Sequence, residues 1–190
     1  MLFGGVNYNG NVMSTFLGYP IDATHSTFYC DTLIVNATNT CYIKAVDVNN
    51  IITGVDGDCR SFIVTVTVLT PQSTSATIAP VSLSRVTHLF SFPVITSNLA
   101  GNATISITFK DIALSNSPMV YQIKSSDIDW KSIQVTYAGK NMMVDMNNEL
   151  TIRAYDQYNN PAGTTNDISL FNISVITAGD KCASSLVSLE

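Results

Sequence analysis

The stretch NELTIRAYDQYNNPAGTTNDISLFNISV, residues 148–175, decides the fold class. It opens with alternating apolar and polar residues, passes through a turn rich in Asn, Pro and Gly, and ends in a second alternating run. A period of two is typical of β-strands that bury one face, and Asn, Pro and Gly favour tight turns. The stretch therefore predicts two strands joined by a polar connection.

A related pattern stands earlier in the chain, in CYIKAVDVNNIITG at residues 41–54. A shift of 109 residues places Ile43 on Ile152 and Asp47 on Asp156 without a gap. The further matches are Ala45 with Ala154, Gly54 with Gly163, Asp58 with Asp167, Phe62 with Phe171, Val64 with Ile173 and Val66 with Val175. An ordered series of this kind indicates that the two halves are copies of one module.

Composition favours an all-β chain and excludes some partners. The 190 residues are 46% hydrophobic and only 12% charged, with a net charge of −5. That length is enough for two domains, and a chain without a basic surface is not expected to bind nucleic acid. No apolar run approaches the roughly 18 to 20 residues needed to span a bilayer, so we expect no membrane insertion by this segment.

The quoted stretch resembles the middle of a filamin-type immunoglobulin-like repeat, whose pattern is an I-x-A-x-D strand, a Gly-Asn-Pro turn, a Gly-Asp pair and F-x-V-x-V. The matching positions are Ile152, Ala154, Asp156, Asn160, Pro161, Asp167, Phe171, Ile173 and Val175. Asn159 replaces the expected Gly, and the first copy, with Asn50 and Ile51 in its turn, lacks the Asn-Pro pair. The resemblance implies two tandem immunoglobulin-like β-sandwich modules.

The two copies divide the chain into three predicted parts. Residues 23–112 form a complete first module, residues 113–190 form a second module that lacks closing strands, and residues 1–22 resemble the closing strands of the first module. We therefore predict that residues 1–22 of one copy complete the second module of the next by β-strand complementation. The apolar residues expected to carry this assembly contact are Leu2, Phe3, Val6, Val12 and Phe16.

This organisation predicts a structural subunit of an extracellular filament, in which the chain is its own partner in a head-to-tail homopolymer. The alternative is a segment of a cell-surface adhesion or recognition ectodomain made of tandem immunoglobulin-like repeats in one long polypeptide. A third arrangement, in which residues 1–22 fold back within their own chain, also stays open. A cytoplasmic filamin-like scaffold is less favoured, because four cysteines and so few charges suit the cytosol poorly.

The four cysteines are disulfide candidates, and the sequence leaves their pairing open. They are Cys30, Cys41, Cys59 and Cys182, and three of them fall in the first half. They contain no C-x-x-C spacing and the chain has only two histidines, so a zinc site is not expected.

Three N-x-S/T sequons, at Asn36, Asn102 and Asn172, are the glycosylation candidates, and N- or O-linked glycans are expected partners of an extracellular chain. Asn36 and Asn102 are predicted in turns. Asn172 is predicted on the outward face of a strand over residues 168–177.

No motif carries catalytic chemistry, so we expect no enzyme and no cofactor. His25 and His88 are isolated in the sequence. Asp and Asn crowd the two copied turns and offer oxygen ligands of the kind that Ca²⁺ binds. The same residues are ordinary turn formers, and we therefore predict no metal site.

Overall fold

The computed structural model describes residues 5–6, 12–13, 20–69, 76–137 and 148–172. Within these ranges the regular structure is β-strand apart from two short 3₁₀ helices, Asp56–Ser61 and Thr165–Leu170. The strands are β1 Gly5–Val6, β2 Val12–Met13, β3 Thr27–Cys30, β4 Leu33–Ile34, β5 Thr38–Lys44, β6 Phe62–Leu69, β7 Thr77–Ile78, β8 Ser82–Leu83, β9 Phe90–Ile95, β10 Gly101–Phe109, β11 Ile112–Ala113, β12 Met119–Lys124, β13 Gln134–Tyr137 and β14 Leu150–Arg153. The predicted all-β fold class is confirmed.

Two sheets form the first sandwich, residues 20–124. In one sheet β5 lies between β3 and β9, and both β7 and β8 pair with β9. In the other, β10 pairs with β6 along one edge and with β11 and β12 along the opposite edge. β12 also pairs with β4, in parallel, whereas the other pairings are antiparallel. This is the immunoglobulin-like two-sheet arrangement that the filamin-type resemblance implied.

The core lies between the two sheets and follows the period-two pattern. Along β10, Ala103, Ile105, Ile107 and Phe109 are buried, and the residues between them are half-buried. The opposite sheet contributes mainly Phe28, Cys41, Ile43, Phe90, Phe92 and Val94. The ring of Phe62 joins the sheets, because its centroid lies 4.9 Å from that of Phe90 and 4.8 Å from that of Phe109.

The first sandwich extends past residue 112, where the sequence pattern placed its end. β11 and β12 both pair with β10, the central strand of the second sheet. The side chain of Ile123, from β12, is part of the buried core of this sandwich. β12 had been predicted as a strand of the second module, because alternation marks a strand but does not select the strand with which it pairs.

The second copy begins near residue 127, and the structure describes it to residue 172. β13 and β14 pair in antiparallel fashion, and Ile152 and Ala154 are buried. The predicted strand at 168–177 is wrong in its first part, because residues 165–170 form a 3₁₀ helix. The side chain of Asp167 accepts hydrogen bonds from the amide and hydroxyl of Thr164 and so stabilises the start of this helix.

The N-terminal strands β1 and β2 pair with each other, with Val6 opposite Val12. Both residues belong to the predicted assembly set, and Leu2, Phe3 and Phe16 lie outside the described residues. In the parts of the chain that are described, β1 and β2 pair with no further strand. Strand complementation with another copy therefore stays a prediction.

Among the described residues, no helix combines the length and apolar character needed to cross a membrane.

Candidate functional site at the junction between the modules

The two copied turns share one hydrogen-bonding scheme. Turn 1 is residues 47–54 and turn 2 is residues 156–163. In turn 1 a carboxylate oxygen of Asp47 accepts hydrogen bonds from the amides of Asn49 (2.8 Å) and Ile51 (2.9 Å). In turn 2 Asp156 accepts the corresponding pair, from Tyr158 and Asn160, each at 2.9 Å. The shift of 109 residues found in the sequence is thus a structural repeat.

Both turns also share their unusual backbone positions. Asn50 and Asn159 have φ of 61° and 66°, a left-handed conformation that Asn tolerates well. Gly54 and Gly163 have φ of 127° and 100°, which few residues other than glycine adopt. Asn159 therefore fits the place where the filamin-type pattern has Gly.

A second repeated feature marks the start of each copy, at a shift of 107 residues from Asp22 to Asp129. The amide of Asp22 donates to the carbonyl of Val46 (2.8 Å), and that of Asp129 donates to the carbonyl of Tyr155 (2.9 Å). The Asp22 carboxylate contacts His25 Nδ1 at 2.9 Å, and the Asp129 carboxylate accepts from the Ser132 hydroxyl at 2.8 Å. Because Ser132 takes the same place as His25, we assign His25 a role in the turn structure.

Turn 2 docks on the end of the first sandwich through one buried side chain. The side-chain amide of Asn160 donates to the carbonyl of Asn98 (2.8 Å), and its side-chain carbonyl accepts from the amide of Ala100 (2.8 Å). Only 5% of Asn160 is exposed. We call this contact the junction. It consists of Asn98, Ala100, Ser126, Asp156 and Asn160.

Asp156 connects turn 2 to the segment that links the two modules. Its carboxylate accepts from the amide of Ser126 (3.1 Å) and from the side-chain amide of Asn160 (3.0 and 3.1 Å). Burial by itself would raise the pKa of Asp156, but hydrogen bonds from Asn160, Ser126 and Tyr158 outweigh it and hold the pKa below its usual value. The buried carboxylate is therefore ionised, and it orients Asn160 toward the first sandwich.

Tyr158 adds a contact beside the junction. Its ring packs against the core cluster of the first sandwich, and its hydroxyl accepts a hydrogen bond from the side-chain amide of Asn36. Asn36 is thus both a sequon asparagine and a contact residue between modules.

Turn 1 has the same backbone as turn 2 but a different surface. Ile51, the counterpart of Asn160, is 61% exposed. Val48, Ile52 and Val55 are exposed beside it. This one position of the copied turn is therefore buried against a neighbour in the second module and open in the first.

The structure assigns the pairing of two of the four cysteines. Cys30 and Cys41, which face each other across β3 and β5, form a disulfide. Cys59 is half-buried and forms no disulfide with a described residue. Burial raises the pKa of its thiol, and the nearby Asp56 carboxylate adds to the effect. Cys182 lies outside the described residues.

The three sequon asparagines are exposed. Asn36 lies in a turn, as predicted, with φ of 49°. Asn102 was predicted in a turn but lies in β10, opposite Gln122 of β12 and Leu69 of β6, because the strand begins with the preceding glycine. Asn172 follows the second 3₁₀ helix at the end of the described part of this copy. Whether any of the three carries a glycan stays a prediction.

The described residues contain no group of three or more His, Cys, Asp and Glu side chains placed to hold a metal ion. In both copied turns an Asp carboxylate accepts hydrogen bonds from main-chain amides, which is the ordinary use of Asp in a turn.

Sequence reasoning did not find the junction. One signal was present, because the repeat places the polar Asn160 opposite the apolar Ile51, while Asp, Asn and Gly stay the same at three other positions of the two turns. A polar residue in one copy and an apolar one in the other indicates that the two turns have different neighbours.

No protein-family model matches the chain, and no curated protein matches it by sequence. Solved structures do match its fold. The Escherichia coli adhesin FdeC is 16% identical with a TM-score of 0.53, over 75% of this chain and 44% of FdeC. Invasin, a bacterial integrin-binding protein, is 17% identical with a TM-score of 0.55, over 83% of this chain and 33% of invasin. The filamin domain of Lin-41 also aligns, at 17% identity and a TM-score of 0.42, over 55% of this chain and 96% of that domain.

The likeness to the two adhesive proteins shows the fold: the chain contains an immunoglobulin-like β-sandwich. It spans less than half the length of the two adhesive proteins, 44% of one and 33% of the other.

Proposed function

We propose that the chain is a segment of a cell-surface adhesion or recognition ectodomain, built from tandem immunoglobulin-like modules in one polypeptide. The observation that carries the proposal is the junction, where turn 2 forms direct hydrogen bonds to the end of the preceding sandwich. Modules joined only by a flexible linker have no need of a buried, doubly bonded Asn between them. A hydrogen-bonded junction restricts bending, and a series of such junctions makes an extended stalk.

Two further observations support an extracellular, non-enzymatic role. The Cys30–Cys41 disulfide suits an oxidising compartment. Two proteins that share the fold are an adhesin and an integrin-binding protein, which favours adhesion over catalysis. In this proposal the sandwich faces present side chains and glycans to a partner, and the junctions hold them away from the membrane.

The test is surface exposure and adhesion on intact cells of the source organism. A protease added outside the cells is expected to release fragments containing residues 20–172, and deletion of the gene is expected to lower attachment to surfaces or to other cells. Fragments that appear only after lysis, together with unchanged attachment, would reject the proposal.

A second candidate is the head-to-tail filament. The observation in its favour is that β1 and β2 form a sheet of only two strands among the described residues. Such a small sheet is marginally stable alone and gains from an added strand. Deletion of residues 1–22 is expected to abolish end-to-end growth in this case, while the first sandwich still folds.

A further inference from the structure

Turn 1 carries an apolar surface that its polar copy in turn 2 lacks. We define the turn 1 surface as Val48, Ile51, Ile52 and Val55, all of them exposed. At the shift of 109 residues, the corresponding residues are Gln157, Asn160, Pro161 and Thr164. Four exposed aliphatic side chains within eight residues of the chain make this turn a candidate interaction site.

The second copy shows what covers this place in the repeat. The position of Ile51 corresponds to that of Asn160, which is buried against Asn98 and Ala100 of the preceding module. The hydrogen bonds from turn amides to the Asp carboxylate match in the two turns, and so do the main-chain bonds from Asp47 to Ile51 and from Asp156 to Asn160. Both turns therefore present this position in the same way. In this repeat the position is therefore built to contact the module that comes before it.

The residue types indicate how each contact is made. The side-chain amide group of Asn160 can donate to a main-chain carbonyl and accept from a main-chain N–H, so it fits a neighbour that exposes both. The aliphatic side chains of turn 1 offer no hydrogen bond and suit an apolar neighbour, where the area removed from water supplies the free energy. The two contacts would share a geometry and differ in chemistry.

The spacing of strands supports a preceding module. β12, the last strand of the first sandwich, begins ten residues before Asp129. β2 begins ten residues before Asp22, the counterpart of Asp129. The spacing from β2 to the start of the first sandwich is therefore the same as the spacing from β12 to the start of the second copy. Since β12 is the last strand of its module, β2 has the position expected of the last strand of a preceding module.

From these observations we infer that the turn 1 surface is the docking site for an immunoglobulin-like module that precedes the first sandwich in the same polypeptide and meets turn 1 with an apolar surface. β1 and β2 belong to the closing strands of that module. The inference rests on the proposed tandem array and adds the partner of the turn 1 surface to it.

Carbene footprinting tests the inference, because a photolysed diazirine labels exposed aliphatic side chains. The native polypeptide from its source cells is compared with the recombinant chain of residues 1–190. Labelling of the peptide that contains residues 48–55 is expected to be at least about fivefold lower in the native polypeptide, since the core of an interface is closed to solvent. Val86, which is 90% exposed on the same sandwich, is the reference and is expected to label equally in both.

The outcomes separate the inference from the proposed function. Equal labelling of residues 48–55 in both samples, with Asn160 protected in both, would overturn the inference and leave the junction intact. Strong labelling of Asn160 in both samples would instead remove the observation on which the proposed function rests.

A matched substitution gives an independent measure. The double change Ile51→Asn with Val55→Thr gives two positions of the turn 1 surface the residues found at the corresponding positions of the second copy. In the chain of residues 1–190 we expect the melting temperature to change by no more than about 2 °C, because both side chains are exposed there. In the native polypeptide we expect a clear decrease, and an equally small change in both samples would contradict the inference.

Discussion

Asn160 bridges two modules with both ends of one side chain: its amide donates to the carbonyl of Asn98, and its carbonyl accepts from the amide of Ala100, each at 2.8 Å. The Asp156 carboxylate holds the amide of Asn160 in this orientation. Asn160 and the ionised group beside it therefore help to set the orientation of the second copy on the first sandwich, together with the contact of Tyr158.

Substitution of that residue is expected to loosen the junction without unfolding the first sandwich. In Asn160→Ala the half-buried amide of Ala100 loses its acceptor, at a cost of about 1–2 kcal/mol. Hydrogen exchange at the Ala100 amide should then be about 5–30 times faster. Asn166→Ala is the matched control, because it removes the same side chain from an exposed position of the second copy. An unchanged exchange rate in Asn160→Ala would show that the bond does not hold the modules together.

Acid is expected to open the junction. Burial would raise the pKa of Asp156, but hydrogen bonds from Asn160, Ser126 and Tyr158 lower it below the usual value. A depressed folded-state pKa means that the stabilisation is present above the unfolded pKa of about 3.9 and is lost as the pH falls through the lower folded value. Exchange of the Ser126 amide, corrected for intrinsic rates, should therefore be slow at pH 5 and speed up below pH ~4.

Asp156→Asn is the control for this pH dependence. In this variant an NH₂ group replaces one of the two carboxylate oxygens of Asp156. That group cannot accept the hydrogen bonds that Ser126 and Asn160 donate to the carboxylate oxygen in the wild-type protein. Exchange at the Ser126 amide should then be fast already at pH 5 and change little on acidification. A variant that keeps the wild-type pH profile would assign the transition to another carboxylate.

The disulfide is expected to stabilise the first sandwich. Cys30 and Cys41 are separated by 11 residues, and closing a loop of that size stabilises a fold by about 2–3 kcal/mol in the chain-entropy model. Cys30→Ala with Cys41→Ala should lower the free energy of unfolding by that amount, measured with urea and circular dichroism. Cys59→Ala, which breaks no disulfide with a described residue, should cost less. Equal losses in the two variants would contradict the prediction.

Three glycines are expected to respond differently to alanine. A Cβ on Gly54 would lie 2.6 Å from ring atoms of the buried Phe90, and the φ of 127° is itself unfavourable for alanine. We expect Gly54→Ala to lower the free energy of unfolding by about 3 kcal/mol or more. Gly163→Ala should cost less, because its closest contact is the end of the Ile128 side chain, at 3.1 Å.

Gly57→Ala is the matched control for the glycine series. A Cβ there meets nothing within 4 Å, so we expect a change within about 0.5 kcal/mol. Thermal unfolding of the three variants should therefore rank Gly54 as the most sensitive position and Gly57 as the least. The reverse order would show that turn 1 is not packed against Phe90 as described.

The fold class and the repeat could be predicted because both depend on local patterns. Period-two alternation gave the strands of the first sandwich, and the ordered matches from Ile43 to Phe62 located the same turn in both copies. The position of β12 could not be predicted in this way, because its partners β10 and β4 are distant in sequence and alternation carries no information on pairing.

The junction could not be predicted because it depends on how two modules face each other. Asn160 reads as an ordinary turn residue until Asn98 and Ala100 are placed beside it. The 3₁₀ helix at residues 165–170 was missed for a similar reason: Ile168 and Leu170 alternate as in a strand, but the Asp167 side chain stabilises a helical start.

Negative-stain electron microscopy of the native material, combined with gel sizing after denaturation, tests the tandem array most directly. The proposal predicts thin rods of regularly spaced modules whose polypeptide remains one long chain after denaturation. Filaments that dissolve into separate chains the size of residues 1–190 would contradict it, because they would establish assembly between copies instead of within one polypeptide.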